Sequence, residues 1–188
     1  MYYQDQKFRK VDFSQHKLAG GEFDGCQFES CNLSQADLSG CKFIDSVFRH
    51  CDLSLAQLSH TSFQDVQFVH CKLMGLSFNQ CDAFGFACNF DNCLLQHTSF
   101  ARMKLKRTHF NQGQLHEADF TESDLTECVF DHCNLERTLF RQTILEKADL
   151  RTAFNYSIDP ENNRLRKARF SAAGLYGLLD KYDLRIEK

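Results

Sequence analysis

A phenylalanine or leucine stands at every fifth residue from Phe8 to Phe78, and again from Phe90 to Leu150. A period of five is neither the 3.6 of a helix nor the 2 of a strand, so it is the period of a whole supersecondary unit, as short repeats are in solenoids. Two places before these centres the chain carries small residues: Cys26, Cys31, Ala36, Cys41, Ser46, Cys51, Ala56, Thr61 and Cys71, then Cys88, Cys93, Thr98, Cys128, Cys133 and Ala148. Residues two apart share one side of an extended backbone. Both therefore point inward, the large one filling the axis and the small one fitting beside it. The other three places of each unit are mostly Asp, Glu, Lys, Arg, Gln, Ser and His, as a solvated outer wall requires.

Read at a spacing of twenty, like falls on like. Phe23, Phe43 and Phe63 make one column, Phe28, Phe48 and Phe68 the next, Leu33, Leu53 and Leu73 the third, and Leu18, Leu38 and Leu58 the fourth. Phe90, Phe110 and Phe130 form such a column in the second half, as do Leu95, Leu115 and Leu135, and Phe100, Phe120 and Phe140. Four units per coil stacked at ~4.8 Å predict a rod of about seven coils, roughly 34 Å long. Twelve residues separate Phe78 from Phe90 where ten keep phase, so two extra residues lie within 82–87. Gly85 suits the bulge this demands, and of Phe84 and Phe86 only one fits inward, which marks the break as a candidate partner contact. The result is an expected phase break between two stacks of coils.

The triplets Ala36-Asp37-Leu38, Ala118-Asp119-Phe120 and Ala148-Asp149-Leu150, with Cys51-Asp52-Leu53 and Cys133-Asn134-Leu135 close behind, resemble the unit of the pentapeptide-repeat family. The resemblance implies an all-β fold, a right-handed quadrilateral β-helix with twenty residues per coil. On this reading residues 1–155 form the repeat domain. Residues 156–188 hold a turn with the sole proline, Pro160, a last unit at Lys167-Ala168-Arg169-Phe170, a short amphipathic helix over 172–182 and a final strand over 184–187. Leu175, Leu178, Leu179 and Tyr182 supply an apolar face for capping the open coil end and pairing two copies. This ending is similar to that of the Qnr and mycobacterial fluoroquinolone-resistance pentapeptide proteins. The similarity implies an end-to-end homodimer and binding to DNA gyrase or topoisomerase IV, with acidic side chains imitating duplex phosphates.

Charge bounds that implication. The net charge is −3, and the densest acidic zone is Glu117, Asp119, Glu122, Asp124, Glu127, Asp131 and Glu136, with no Lys or Arg between Arg107 and Arg137. These seven are the candidate partner-binding carboxylates, together with Phe84 and Phe86. A solvated outer wall is the competing reading. The pair Asp45 and Asp65 forms a short acidic stripe, and Arg102, Lys104, Lys106 and Arg107 an opposing basic band. The acidic total argues against direct nucleic-acid binding.

Ala, Ser and Thr replace Cys freely at the inward small position, which neither disulfides nor metal ligation permit, so the ten cysteines read as free packing thiols suited to a reducing cytoplasm. His50 and His70 stack beside Cys51 and Cys71, but adjacent strand residues point to opposite sides, so they form no His/Cys ligand set. No phosphate loop, nucleophile elbow or acid/base constellation is present; Asp37 and Asp119 sit where the fold itself uses a short hydrogen-bonding side chain. No catalytic residue, cofactor or metal site is assigned, and the start of the chain shows no apolar run for a signal peptide or membrane span. The sequence thus predicts a non-catalytic rod: a topoisomerase-binding DNA mimic, or a protein-interaction scaffold with another partner.

Overall fold

Each five-residue unit forms one wall of a four-sided parallel β-solenoid of about eight turns, seen in a computed structural model that describes residues 1–15, Leu18 and residues 20–185. The corner between walls is made by one residue in the left-handed region. Lys10, Ser30, Gln35, His50 and Arg107 have φ of 52°, 54°, 57°, 52° and 62°, and the same corner recurs along the chain. A side chain there costs about 1–2 kcal/mol. Stacking offsets the cost, because corner N–H groups bond to the next coil, as from His50 to the Val69 carbonyl at 3.0 Å and from Arg107 to Thr126 at 3.0 Å.

The residue before each centre is often Asp or Asn, and the fold shows why. Its carboxylate or amide oxygen accepts from the backbone N–H two residues on: Asp37 from Ser39 at 3.0 Å, Asn32 from Ser34 at 3.1 Å, Asp119 from Thr121 at 2.8 Å, Asp124 from Thr126 at 3.1 Å. The inward small position has a chemistry the sequence reading missed. Its side chain donates to the carbonyl of a centre one coil below: Cys31 to Phe8, Cys51 to Phe28 and Cys71 to Phe48, each at 3.4 Å, Thr61 to Leu38 at 2.9 Å and Thr143 to Phe120 at 2.9 Å. Cys, Ser and Thr are thus small hydrogen-bond donors here as well as small fillers, each satisfying a buried acceptor.

Centres stack by wall. The second wall is continuous from end to end, a nine-stranded sheet of Lys7–Arg9, Gln27–Glu29, Val47–Arg49, Val66–Val69, Cys88–Asp91, His109–Asn111, Val129–Asp131, Asp149–Leu150 and Arg169–Phe170. Nine levels correct the expectation of about seven coils: the run from Phe8 to Leu150 already spans eight levels of this wall and Phe170 adds the ninth, so the rod is about 38 Å long at ~4.8 Å per level. Inside that wall Phe28 and Phe48 stack at 4.5 Å between centroids, Phe68 and Phe90 at 5.5 Å, Phe110 and Phe130 at 5.0 Å. Offset parallel rings at this separation combine area burial with favourable quadrupole geometry.

The first wall behaves differently. Its sheet has four strands, Tyr2–Gln4, Glu22–Asp24, Lys42–Ile44 and Ser62–Gln64, and ends at the phase break. There the chain loops out. Asp82 N–H still bonds to Thr61 at 2.9 Å and Ala87 N–H to Phe63 at 3.0 Å, while Phe84 and Gly85, with φ +71° at Gly85, turn into solvent. Above the loop lies a notch of ≈ 230 Å³ bordered by Ala83, Phe86, Met103 and Lys104. The other walls pass the break in register, Phe68 over Phe90, Leu73 bonded to Leu94 and Ser77 paired with Ser99. The insertion is therefore confined to one wall of a single stack, where the sequence led us to expect two stacks offset from one another: two extra residues are fewer than a whole unit, and one turn absorbs them.

The regular unit ends after Leu150. Asn155 takes a left-handed corner with φ 59°, and Tyr156 and Ile158 enter the core in place of regular centres. Two 3₁₀ segments, Ala173–Leu178 and Asp180–Tyr182, close the end where an α-helix was expected. Six residues rich in glycine are too short for a stable α-helix, and the tighter winding seats Gly174 and Gly177 directly on Tyr156, with no room for a Cβ at either. The expected strand over 184–187 lies partly outside the described residues; Leu184 and Arg185 are described and form no strand.

Candidate functional site

The rod's outer surface carries its chemistry, and the corner columns order that surface. On the corner after the first wall, one level to the next, stand Asp5, Gly25, Asp45 and Asp65, then the phase break, then Arg107, Glu127, Lys147 and Lys167. Asp5, Asp45 and Asp65 are exposed and, among the described residues, lack ion-pair partners. Like charge is held in a row there.

The seven carboxylates singled out in the sequence sit in a different setting. Glu117 lies 3.3 Å from Arg137 and 3.1 Å from His97, Glu122 3.1 Å from Arg102, and Asp124 3.2 Å from Lys106. Glu127 is held between Arg107 at 2.9 Å and Lys147 at 2.8 Å, and these hydrogen bonds, Lys147 first, bring its carboxyl down to about 2. The Arg137 guanidinium likewise holds Glu117 below the usual carboxylate range. Asp131 accepts from Thr152 at 2.7 Å, and Glu136 approaches His116 at 3.7 Å. Asp119 is committed to its turn with Thr121. The zone is thus interleaved with cations from the coils above and below, and its field falls off quickly because opposite charges lie well inside a Debye length of ~8–10 Å. The signal was present in the sequence: Arg102/Glu122, Arg107/Glu127 and Glu127/Lys147 are each twenty apart.

At the break the two candidate aromatics separate. Phe84 is 89% exposed, whereas Phe86 packs against the core edge-on to Phe63 and Phe78, with centroids at 6.4 and 6.1 Å. Phe84 alone is available to a partner. At the C-terminal end the candidate pairing face is also divided. Leu175 is exposed, Leu178 packs on the core and Leu179 is half-buried; Tyr182 donates to Glu161 at 2.7 Å. Lys181, which the sequence reading passed over, bridges Asp159 and Glu161 at 2.6 Å each and pins the cap to the preceding turn. Exposed Tyr176 and Leu184 extend the apolar surface instead.

His50 and His70 stack with centroids 5.0 Å apart and planes 1° from parallel, outside the wall, while Cys51 and Cys71 are buried within it. Among the described residues no three His, Cys, Asp or Glu side chains converge to hold a metal, and no helix is long and apolar enough to cross a membrane. All ten cysteines are free, nine buried; Cys81, the last small position before the break, is half-buried. Burial pushes the Cys128 and Cys133 thiols up to about 12, which suits them to packing and not to nucleophilic chemistry.

No curated protein sequence matches the chain. Among solved structures, two trypsin-treated variants of QnrB1, a plasmid-mediated fluoroquinolone resistance protein, each align with a TM-score of 0.66. One is 16% identical with all of both chains covered, the other 19% identical with all of this chain and 92% of that one. Full-length QnrB1 aligns at a TM-score of 0.53 and 16% identity, over 98% of this chain and all of its own. At such identities the likeness is one of fold. The sequence model of the pentapeptide repeat region matches residues 21–98 and 61–149. Five-residue walls, left-handed corners and stacked inward Phe and Leu are thus joined by a sequence match over most of the rod, and the chain belongs to the pentapeptide-repeat family.

Proposed function

We propose that this rod is a non-catalytic binding protein that docks on a bacterial type II topoisomerase, DNA gyrase or topoisomerase IV, as a mimic of duplex DNA. The observation that carries the reading is the uncompensated column Asp5, Asp45 and Asp65 on one corner. Carboxylates fixed at ~4.8 Å steps or multiples of it along a straight edge are comparable in spacing to phosphates, which rise 3.4 Å apart along each duplex strand. Phe84 heads this column as an exposed aromatic anchor. The zone from Glu117 to Glu136 adds charge of its own, but its cation partners leave it the weaker contributor.

Gyrase supercoiling with and without ciprofloxacin is the direct test. The wild-type rod changes supercoiling or drug sensitivity in a salt-sensitive way, and Asp45→Asn/Asp65→Asn loses the effect. Unchanged activity and drug response of both topoisomerases at large molar excess leave the second reading, an interaction scaffold for another protein, which the same exposed corner and Phe84 support.

A further inference from the structure

The same corner column is complementary to itself. Four levels lie below the break and four above it. Below stand three carboxylates and no cation, Asp5, Asp45 and Asp65; above stand three cations and one carboxylate, Arg107, Lys147, Lys167 and Glu127. We propose that two copies of this chain associate side by side and antiparallel along this corner, about a two-fold axis through Phe84.

A two-fold axis at the break maps the first level onto the ninth and the fourth onto the sixth. Asp5 of one copy then meets Lys167 of the other, Asp65 meets Arg107, and Gly25 leaves space opposite Lys147. The remaining match is Asp45 with Glu127, and Glu127 is already neutralised by Arg107 at 2.9 Å and Lys147 at 2.8 Å. A parallel arrangement sets acid against acid and base against base, so charge selects the antiparallel one. On the axis itself lies Phe84, 89% exposed, which meets its own counterpart as an isologous contact requires. Phe84 is held out of its own core because Phe86 occupies the inward place. The association depends on no other partner of the rod, and it is distinct from end-to-end pairing through residues 172–184, which keeps the two Phe84 positions about 40 Å apart.

Sedimentation equilibrium of the full chain tests the proposal at 50 and 500 mM salt. The dimer forms at low salt and weakens as salt rises. Asp5→Lys raises the dissociation constant on the order of tenfold, since two symmetric ion pairs are lost, and Asp5→Lys/Lys167→Asp restores it. In a Cys81→Ala background, Phe84→Cys forms an intermolecular disulfide on mild oxidation. A monomer at high micromolar concentration in 50 mM salt, a dimer indifferent to Asp5→Lys, or a Phe84→Cys thiol that stays free in the dimer each overturns it.

Discussion

At the scale of single residues, two inward positions divide the labour of each unit. The centre supplies area: Phe48 and Phe120 are fully buried, with like rings on both sides at 4.5 and 5.1 Å for Phe48 and 5.1 and 5.6 Å for Phe120. Truncation of either to alanine leaves a cavity that the rigid column closes poorly, and chemical denaturation will show a loss of about 3–5 kcal/mol. The small position supplies a donor. Burial pushes the Cys128 and Cys133 thiols up to about 12. A folded-state pKa raised above the unfolded one means stability fully present below the unfolded value and lost as pH rises through the folded value. Thermal unfolding temperature will therefore fall between about pH 9 and pH 12, and Cys128→Ala/Cys133→Ala will flatten that fall. The inward placement of these residues was legible because hydrophobicity and size repeat at one phase. Their hydrogen bonds were not, since a partner twenty-three residues away, as for Cys133 and Phe110 at 3.3 Å, has no local sequence signature.

At the scale of elements, the walls could be read from the chain and the cap could not. A wall is specified many times over, each unit repeating the same size, turn and donor pattern, so Phe23 over Phe43 and Leu33 beside Leu53 follow from period alone. The cap is specified once. Its apolar periodicity pointed to an α-helix, yet Gly174 and Gly177 close on Tyr156 and wind it as 3₁₀, a tertiary contact that overrides local preference. What fastens it is polar: Lys181 to Asp159 and Glu161, Tyr182 to Glu161, and the Ile158 N–H to the Gly177 carbonyl at 2.8 Å. Lys181 holds both carboxyls below their ordinary range, so this fastening is present above the unfolded carboxylate pKa and is lost as pH falls through the lowered folded values. Amide protection factors over 173–182 will fall on acidification ahead of those of the coils, and Lys181→Ala will produce the same local loss of protection at neutral pH while the coil amides keep theirs.

At the scale of the molecule, the two-residue insertion decides where the rod differs from its own repeat. Removing Ala83 and Gly85 leaves Cys81-Asp82-Phe84, a unit in regular phase, with twenty residues between Phe68 and the former Phe90. That deletion will close the notch, bury Phe84 and raise the unfolding midpoint, at the expense of side-by-side association; a lowered midpoint will show that the bulge is needed for folding. The acidic corner serves both the topoisomerase reading and the antiparallel pair, so a copy engaged with its twin has no free column, and the two interactions compete. Three walls carry their hydrogen-bond ladders through the break, while the first has a gap above Phe84. A beam notched on one side yields most easily toward and away from that side. Flexure of this rod is therefore directional, opening and shutting the first wall like a jaw, and a twin laid across the notch acts as a splint.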